Sequence, residues 1–255
     1  MEARLFELDG KMAALREKME GFPTRITADY QQKLEVSWLF HDSALEGVVL
    51  SYSELKAAID QRIISDVTLI PTYEDVKNHK LAMDFIREAA KAKKPPAADM
   101  DLVRKLYGIL TPDQLAKGSP YRKENPLHRL YYHEICPPDK IPQRIKAIED
   151  LIASPDYKTL HPIVAGTRLQ LHLLMAYPWT QNTGKVARLI SNYILLRAGY
   201  LPTVIHSIER QRYYEVLRHE NDGLLTLVLE SLENSIEITT KFFDELEVLK
   251  IRRAS

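Results

Sequence analysis

The chain has 255 residues, 45 % of them hydrophobic, enough to bury one substantial core or one core with a small helical cap. Its 35 basic and 35 acidic residues balance at a pI of about 7.1, which gives no electrostatic reason for nucleic acid or a membrane surface as partner. One cysteine excludes an internal disulfide. With no apolar run of signal-peptide type and none near the ~20 residues of a membrane span, the expected compartment is the cytoplasm.

Helical periodicity runs through most of the chain. Met1 to Glu20 carries Leu5, Leu8, Met12, Leu15 and Met19 on one stripe, expected to pack on the chain's own body, with a second subunit as the alternative. Ala28 to Leu45 and Tyr52 to Asp60 read as the next helices, with Ser51, Ser53 or Ser65 available for capping or turns. Tyr73 to Lys93 is a long amphipathic helix stopped by Pro95 and Pro96, and Asp99 to Leu110 is another. Between Gly118 and Pro138 the rhythm breaks, and Arg129, Leu130, Tyr131, Tyr132 and His133 have a strand-like composition. Ile141 to Ala153 and Pro162 to Ala176 return to helix. The next helix runs from about Lys185 to Ala198, is ended by Gly199, and offers Val186, Leu189, Ile190, Tyr193, Ile194 and Leu196 to the core. After a turn at Asn221-Asp222-Gly223, Leu224 to Leu249 supplies one or two closing helices, with Leu224, Leu227, Val228 and Leu232 buried. No linker is long enough to separate independent domains.

The most informative stretch is Tyr177-Pro178-Trp179-Thr180-Gln181-Asn182-Thr183-Gly184-Lys185-Val186-Ala187-Arg188. A helix that begins after such a polar turn presents unpaired N–H groups and a positive dipole end, a ready anion site. Lys185 and Arg188 lie three apart, so both can lean toward one anion from the first turn. The residues alone leave an ordinary polar turn between helices open as the alternative. His161 and His172, eleven apart, are expected to serve packing and helix-start hydrogen bonds. Neither they, Cys136 nor His133-Glu134 has zinc-site spacing.

This stretch resembles the signature of the Fic (Fido-domain) family, His-Pro-Phe-x-(Asp/Glu)-Gly-Asn-Gly-Arg-x-x-Arg. Leu160-His161-Pro162-Ile163 and Leu171-His172 before it, and Arg188 to Pro202 after it, are similar to the family's flanks. Upstream, Ser43-Ala44-Leu45-Glu46-Gly47 resembles its inhibitory-helix motif, (Ser/Thr)-x-x-x-Glu-(Gly/Asn), although the Ser/Thr position falls on Asp42, a residue that can cap a helix. The resemblance implies a mainly α Fic/Fido fold with a small β-hairpin flap and N-terminal helices packed on the core. It divides the chain into an N-terminal helical region over 1–72 and a Fido domain over 73–255. It also implies a Glu46–Arg188 ion pair, a target-peptide flap at Leu130, Tyr131 and Tyr132, and Tyr213 or Tyr214 near a nucleotide base.

The departures carry the functional expectation. Family enzymes move AMP from ATP to a protein hydroxyl, with the motif His accepting the hydroxyl proton and the acid holding Mg²⁺. Tyr177 stands at the His position, and tyrosine, titrating near ~10, is a poor proton acceptor at neutral pH. Gln181 replaces the carboxylate that Mg²⁺ recruits, and Lys185 the Arg fork that grips phosphate. Asn182 adds a side chain where the parent loop has glycine. The resemblance therefore implies a degenerate adenylyltransferase with an anion or nucleotide site at Asn182, Thr183, Gly184, Lys185 and Arg188. ATP or another nucleotide is its implied ligand, Mg²⁺ lacks its usual ligand, and a protein target, a regulatory partner or a second copy of the chain is the implied partner. A transferase or AMP-removing hydrolase with a non-standard site is the alternative, as is a sensor in which an anion displaces Glu46 from Arg188.

Overall fold

A computed structural model describes residues 1–60, 67–115, 121–126, 133–218 and 222–254. In chain order the helices are α1 (Glu2–Glu20), α2 (Thr24–Leu45), α3 (Tyr52–Ile59), α4 (Ile70–Lys91), α5 (Met100–Leu110), α6 (Pro112–Leu115) and α7 (Ile141–Ala153). They continue with α8 (Pro155–Lys158), α9 (Pro162–Ala176), α10 (Thr183–Arg197), α11 (Arg210–Val216) and α12 (Gly223–Ala254). Among the described residues there is no strand. The flap expected at Leu130, Tyr131 and Tyr132 lies outside them, as do Ser65 and Asn221.

The α9–α10 hairpin is the centre of the molecule. α4 and α5 cover α10, α7 and α12 cover α9, and α2 and α3 reach the centre through α4. Gly166 explains how closely the two central helices approach. A Cβ there would lie 2.9 Å from Ser191 Oγ and 3.2 Å from the Ser191 carbonyl oxygen, so any side chain would force α10 or the serine to shift. Every residue from Thr183 to Tyr193 is buried. Such a helix must bring partners for its polar side chains, and this requirement creates the site.

Local chemistry accounts for several helix ends. Ser51 and Glu54 form a capping box: Ser51 Oγ accepts from the Glu54 N–H at 3.2 Å, and the Ser51 N–H donates to Glu54 Oε2 at 2.7 Å. Asp99 caps α5 by accepting from the Asp101 and Leu102 N–H groups. Gly199, at φ 82°, closes α10. α10 begins at Thr183, two residues before the sequence-predicted start, because Asn182 takes the left-handed conformation and Thr183 Oγ1 donates to the Trp179 carbonyl at 2.9 Å. The sequence division at 72/73 falls inside α4.

The N-terminal stripe is spent within the chain. Leu5, Leu8, Met12 and Leu15 are buried, and α1 packs on α12, where Arg4 forks onto Glu233 with both contacts at 2.7 Å. α12 is one helix of 32 residues rather than two. None of the described helices is long and apolar enough to cross a membrane.

Leu8→Ala is expected to lower unfolding free energy by about 2–5 kcal/mol, because it opens a cavity at a fully packed position. Phe6→Ala, at a residue 81 % exposed on the same helix, should change it by less than about 0.5 kcal/mol. Urea denaturation compares them, and equal losses would mean that the stripe does not pack as described.

Candidate functional site

The motif loop begins with an unusual backbone choice. Tyr177 ends α9 in the left-handed conformation (φ 42°, ψ 61°), which costs a residue with a Cβ roughly 1–2 kcal/mol. Burial offsets that cost, since the side chain is 1 % exposed. Arg122 holds the turn from outside: its Nε donates to the Tyr177 carbonyl at 2.7 Å, its N–H to the Pro178 carbonyl at 2.9 Å, and its Nη2 to the Cys136 carbonyl. Trp179 stacks on Tyr107, ring centroids 4.0 Å apart and 5° from parallel. Asn182 makes the second left-handed turn (φ 61°) into α10. Thr180 and Gln181, between the two turns, are exposed.

The imidazoles near the loop have other tasks. His133 lies edge-on to Tyr177, and its Nε2 is 3.0 Å from the Leu174 carbonyl oxygen. His161 caps α9, its Nδ1 accepting from the Ile163 N–H at 3.3 Å, while its Nε2 is 3.2 Å from Asp9. Burial first, then Arg144 and Arg168, lowers the pKa of His172. Among the described residues, no three His, Cys, Asp or Glu are grouped to hold a metal.

The two motif cations do not converge on one anion, contrary to the sequence expectation. Lys185, 3 % exposed, turns to Asp75 of α4, with Nζ–Oδ1 and Nζ–Oδ2 distances of 2.7 and 2.5 Å. Arg188 turns to α2. Its Nε donates to Asp42 Oδ1, its Nη2 to Glu46 Oε1 at 2.9 Å, and its Nη1 to the Tyr213 hydroxyl at 3.4 Å. The physical reason is burial: a desolvated cation must sit against an opposite charge, and these helices supply acids at different places. Asp42 caps nothing. It lies inside α2, 3 % exposed, with its second oxygen 3.0 Å from Nε2 of the fully buried His79 of α4.

Glu46 sits at the C-terminal cap of α2, and its carboxylate lies against the bare face of Gly184 in the first turn of α10. A Cβ on Gly184 would collide with that carboxylate and come within 3.1 Å of Arg188 Nη1. There the carboxylate faces both the positive end of the α10 dipole and the Arg188 guanidinium, each of which stabilises a negative charge. Burial by itself would raise the Asp42 pKa, but the Arg188 charge and then the His79 contact hold it well below the usual carboxylate range. Arg188 is raised despite burial, by Asp42 first and Glu46 second.

The end of α2 is also fastened from the far side. Tyr214 Oη and Arg210 Nε both donate to the Leu45 carbonyl, at 2.9 and 3.1 Å. His41 Nδ1 accepts from the Ser207 N–H at 3.1 Å, and its ring stacks on His206 at 4.3 Å. Burial, then the neighbouring His206, pushes the His41 pKa down to about 4. The sequence reading missed Asp75, His79, Arg122 and His41. For Asp75, His79 and His41 an acid or imidazole on a helix was the available signal, and it does not name its partner; Arg122, in a loop, gave none.

Unfolding free energy should fall in two stages as pH drops. His41 protonates near 6.5 when unfolded but only near about 4 in the fold, so its part is lost between those values. Asp42 has a depressed folded pKa, so its contribution is present above the unfolded value of 3.8 and is lost as pH falls below that value. His41→Gln flattens the first stage. Asp42→Asn flattens the second and costs on the order of 3 kcal/mol at neutral pH. Denaturant titrations from pH 7 to 2 read both, and an unchanged acid slope in Asp42→Asn would contradict the Arg188 pairing.

No family model matches the chain. It is 25 % identical over 226 residues to a protein adenylyltransferase Fic of Drosophila willistoni, covering 87 % of this chain and 44 % of that protein. Over 187 residues it is 25 % identical to a protein adenylyltransferase Fic of Nematostella vectensis, covering 72 % and 43 %. The chain thus spans less than half the length of these curated relatives. A solved Fic-domain-containing signalling protein from Bacteroides thetaiotaomicron superposes with a TM-score of 0.75 at 20 % identity, over 93 % of this chain and 98 % of that one. Fic-1 from C. elegans gives 0.77 at 18 % identity, over 94 % and 71 %. The structural likeness shows the Fic fold, and the similarity to the curated protein adenylyltransferases Fic supports membership of the Fic family.

Proposed function

We propose that this chain is a Fic-fold protein impaired in AMP transfer to protein hydroxyls, keeping a nucleotide-type anion site that its own Glu46 carboxylate fills. The observation that carries the reading is the Glu46 carboxylate seated between Gly184 and Arg188. An incoming phosphate meets a negative charge there before it meets the guanidinium. Lys185 offers no second grip while both its carboxylate contacts go to Asp75.

The proton-transfer side supports the same reading. Tyr177 is buried, its backbone is fixed by Arg122, and a phenol is a weak base at neutral pH. A positioned base contributes roughly 10²–10⁴-fold, and that is the factor the motif position gives up. The residues present do not suit Mg²⁺. Gln181 offers a neutral, exposed carbonyl, and Asp42, Glu46 and Asp75 are each in contact with a cation. What remains is recognition, of a protein target, a regulatory partner or a nucleotide.

The test is label transfer from ATP labelled at the α-phosphate to candidate proteins, with Mg²⁺ or Mn²⁺, by the native chain and by Glu46→Gly. Both are expected to stay at background, because emptying the anion site restores neither base nor metal ligand. Robust adenylylation by the native chain would overturn the reading in favour of a transferase with a non-standard site. Tyr177→Phe, measured on that activity, would then show whether the phenol takes part.

A further inference from the structure

We infer that Asp42 is a second gate on the anion site, so that a polyphosphate gains Arg188 only when both Asp42 and Glu46 have released it. The inference rests on the reading of Gly184 and Arg188 as the anion site, and adds the residue that decides whether the site can open.

Asp42 and Glu46 are four residues apart at the end of α2 and face Arg188 together. They accept from different nitrogens of the guanidinium, Nε and Nη2, so each carboxylate has a contact of its own. The charge around the α10 start makes the same point. Three carboxylates, Asp42, Glu46 and Asp75, stand against two cations, Lys185 and Arg188, leaving one net negative charge. Losing Glu46 alone brings the cluster only to neutrality; losing Asp42 as well makes it attractive to phosphate.

The two gates differ in burial and in their place on α2. Glu46 is at the cap of α2, with an 11 % exposed side chain against Gly184. Asp42 is inside the helix, 3 % exposed, and His79 of α4 lies against its second oxygen.

The probe is inorganic triphosphate without metal, titrated by calorimetry into the full chain. Charge-assisted contacts are worth ~1.5–3 kcal/mol, so freeing one nitrogen of Arg188 corresponds to roughly ten- to a hundredfold in affinity. Glu46→Gly alone is expected to bind weakly, and Asp42→Ser/Glu46→Gly to bind roughly a hundredfold more tightly. Asp42→Glu/Glu46→Gly, which keeps the charge, should behave like Glu46→Gly, an outcome that a purely structural role for Asp42 would not give. Cooperative thermal melts establish that each variant folds. If the serine double variant does not melt cooperatively, Asp42→Asn/Glu46→Gly takes its place with the same expectation. Glu46→Gly binding as tightly as the double variant overturns the second gate and leaves the anion site standing. A folded double variant that binds no triphosphate overturns the anion site and the gate with it.

Discussion

A guanidinium cannot be neutralised by losing its proton, so burying one commits the surrounding structure to supplying negative charge. Arg188 is 4 % exposed in the first turns of the central helix α10, and everything notable about the site follows from that constraint. The acids it needs come from α2, far away in sequence. The α2 segment is therefore not an appendage: its last turn is part of the core electrostatics.

The neighbouring interactions arrange themselves around this pair. His79 faces Asp42 from α4, Tyr213 approaches Arg188 from α11, and Lys185 repeats the same solution one turn earlier with Asp75. Gly184 leaves just enough room for the Glu46 carboxylate, so shape and charge favour the same occupant. Arg122 contributes differently. By gripping the carbonyl groups of Tyr177 and Cys136 it fastens the motif loop to the segment before α7, so the turn keeps its left-handed start without a glycine.

Much of the fold was legible from periodicity and punctuation. The stripe of α1, a cap at Ser51, the Gly199 stop and the buried face of α12 came out where local rules placed them, because those rules depend on neighbours within one or two turns. The start of α10 was misjudged by two residues because Asn182 adopts a left-handed turn that asparagine permits but does not require. Lys185 and Arg188 were expected to share an anion because spacing along a helix predicts direction at best. Which acid a long side chain reaches depends on helices that sequence spacing does not position.

By itself the amino-acid sequence determined the helical class, the family resemblance, and the exchange of the motif's base, metal ligand and first arginine for Tyr177, Gln181 and Lys185, since residue identity is carried in the chain. Only the tertiary structure decided what the retained charges do. It paired Lys185 with Asp75, set Asp42 beside Glu46 on Arg188, and laid a carboxylate on Gly184. Coulombic energy depends on distance and burial, and for residues more than a hundred positions apart only packing sets either one.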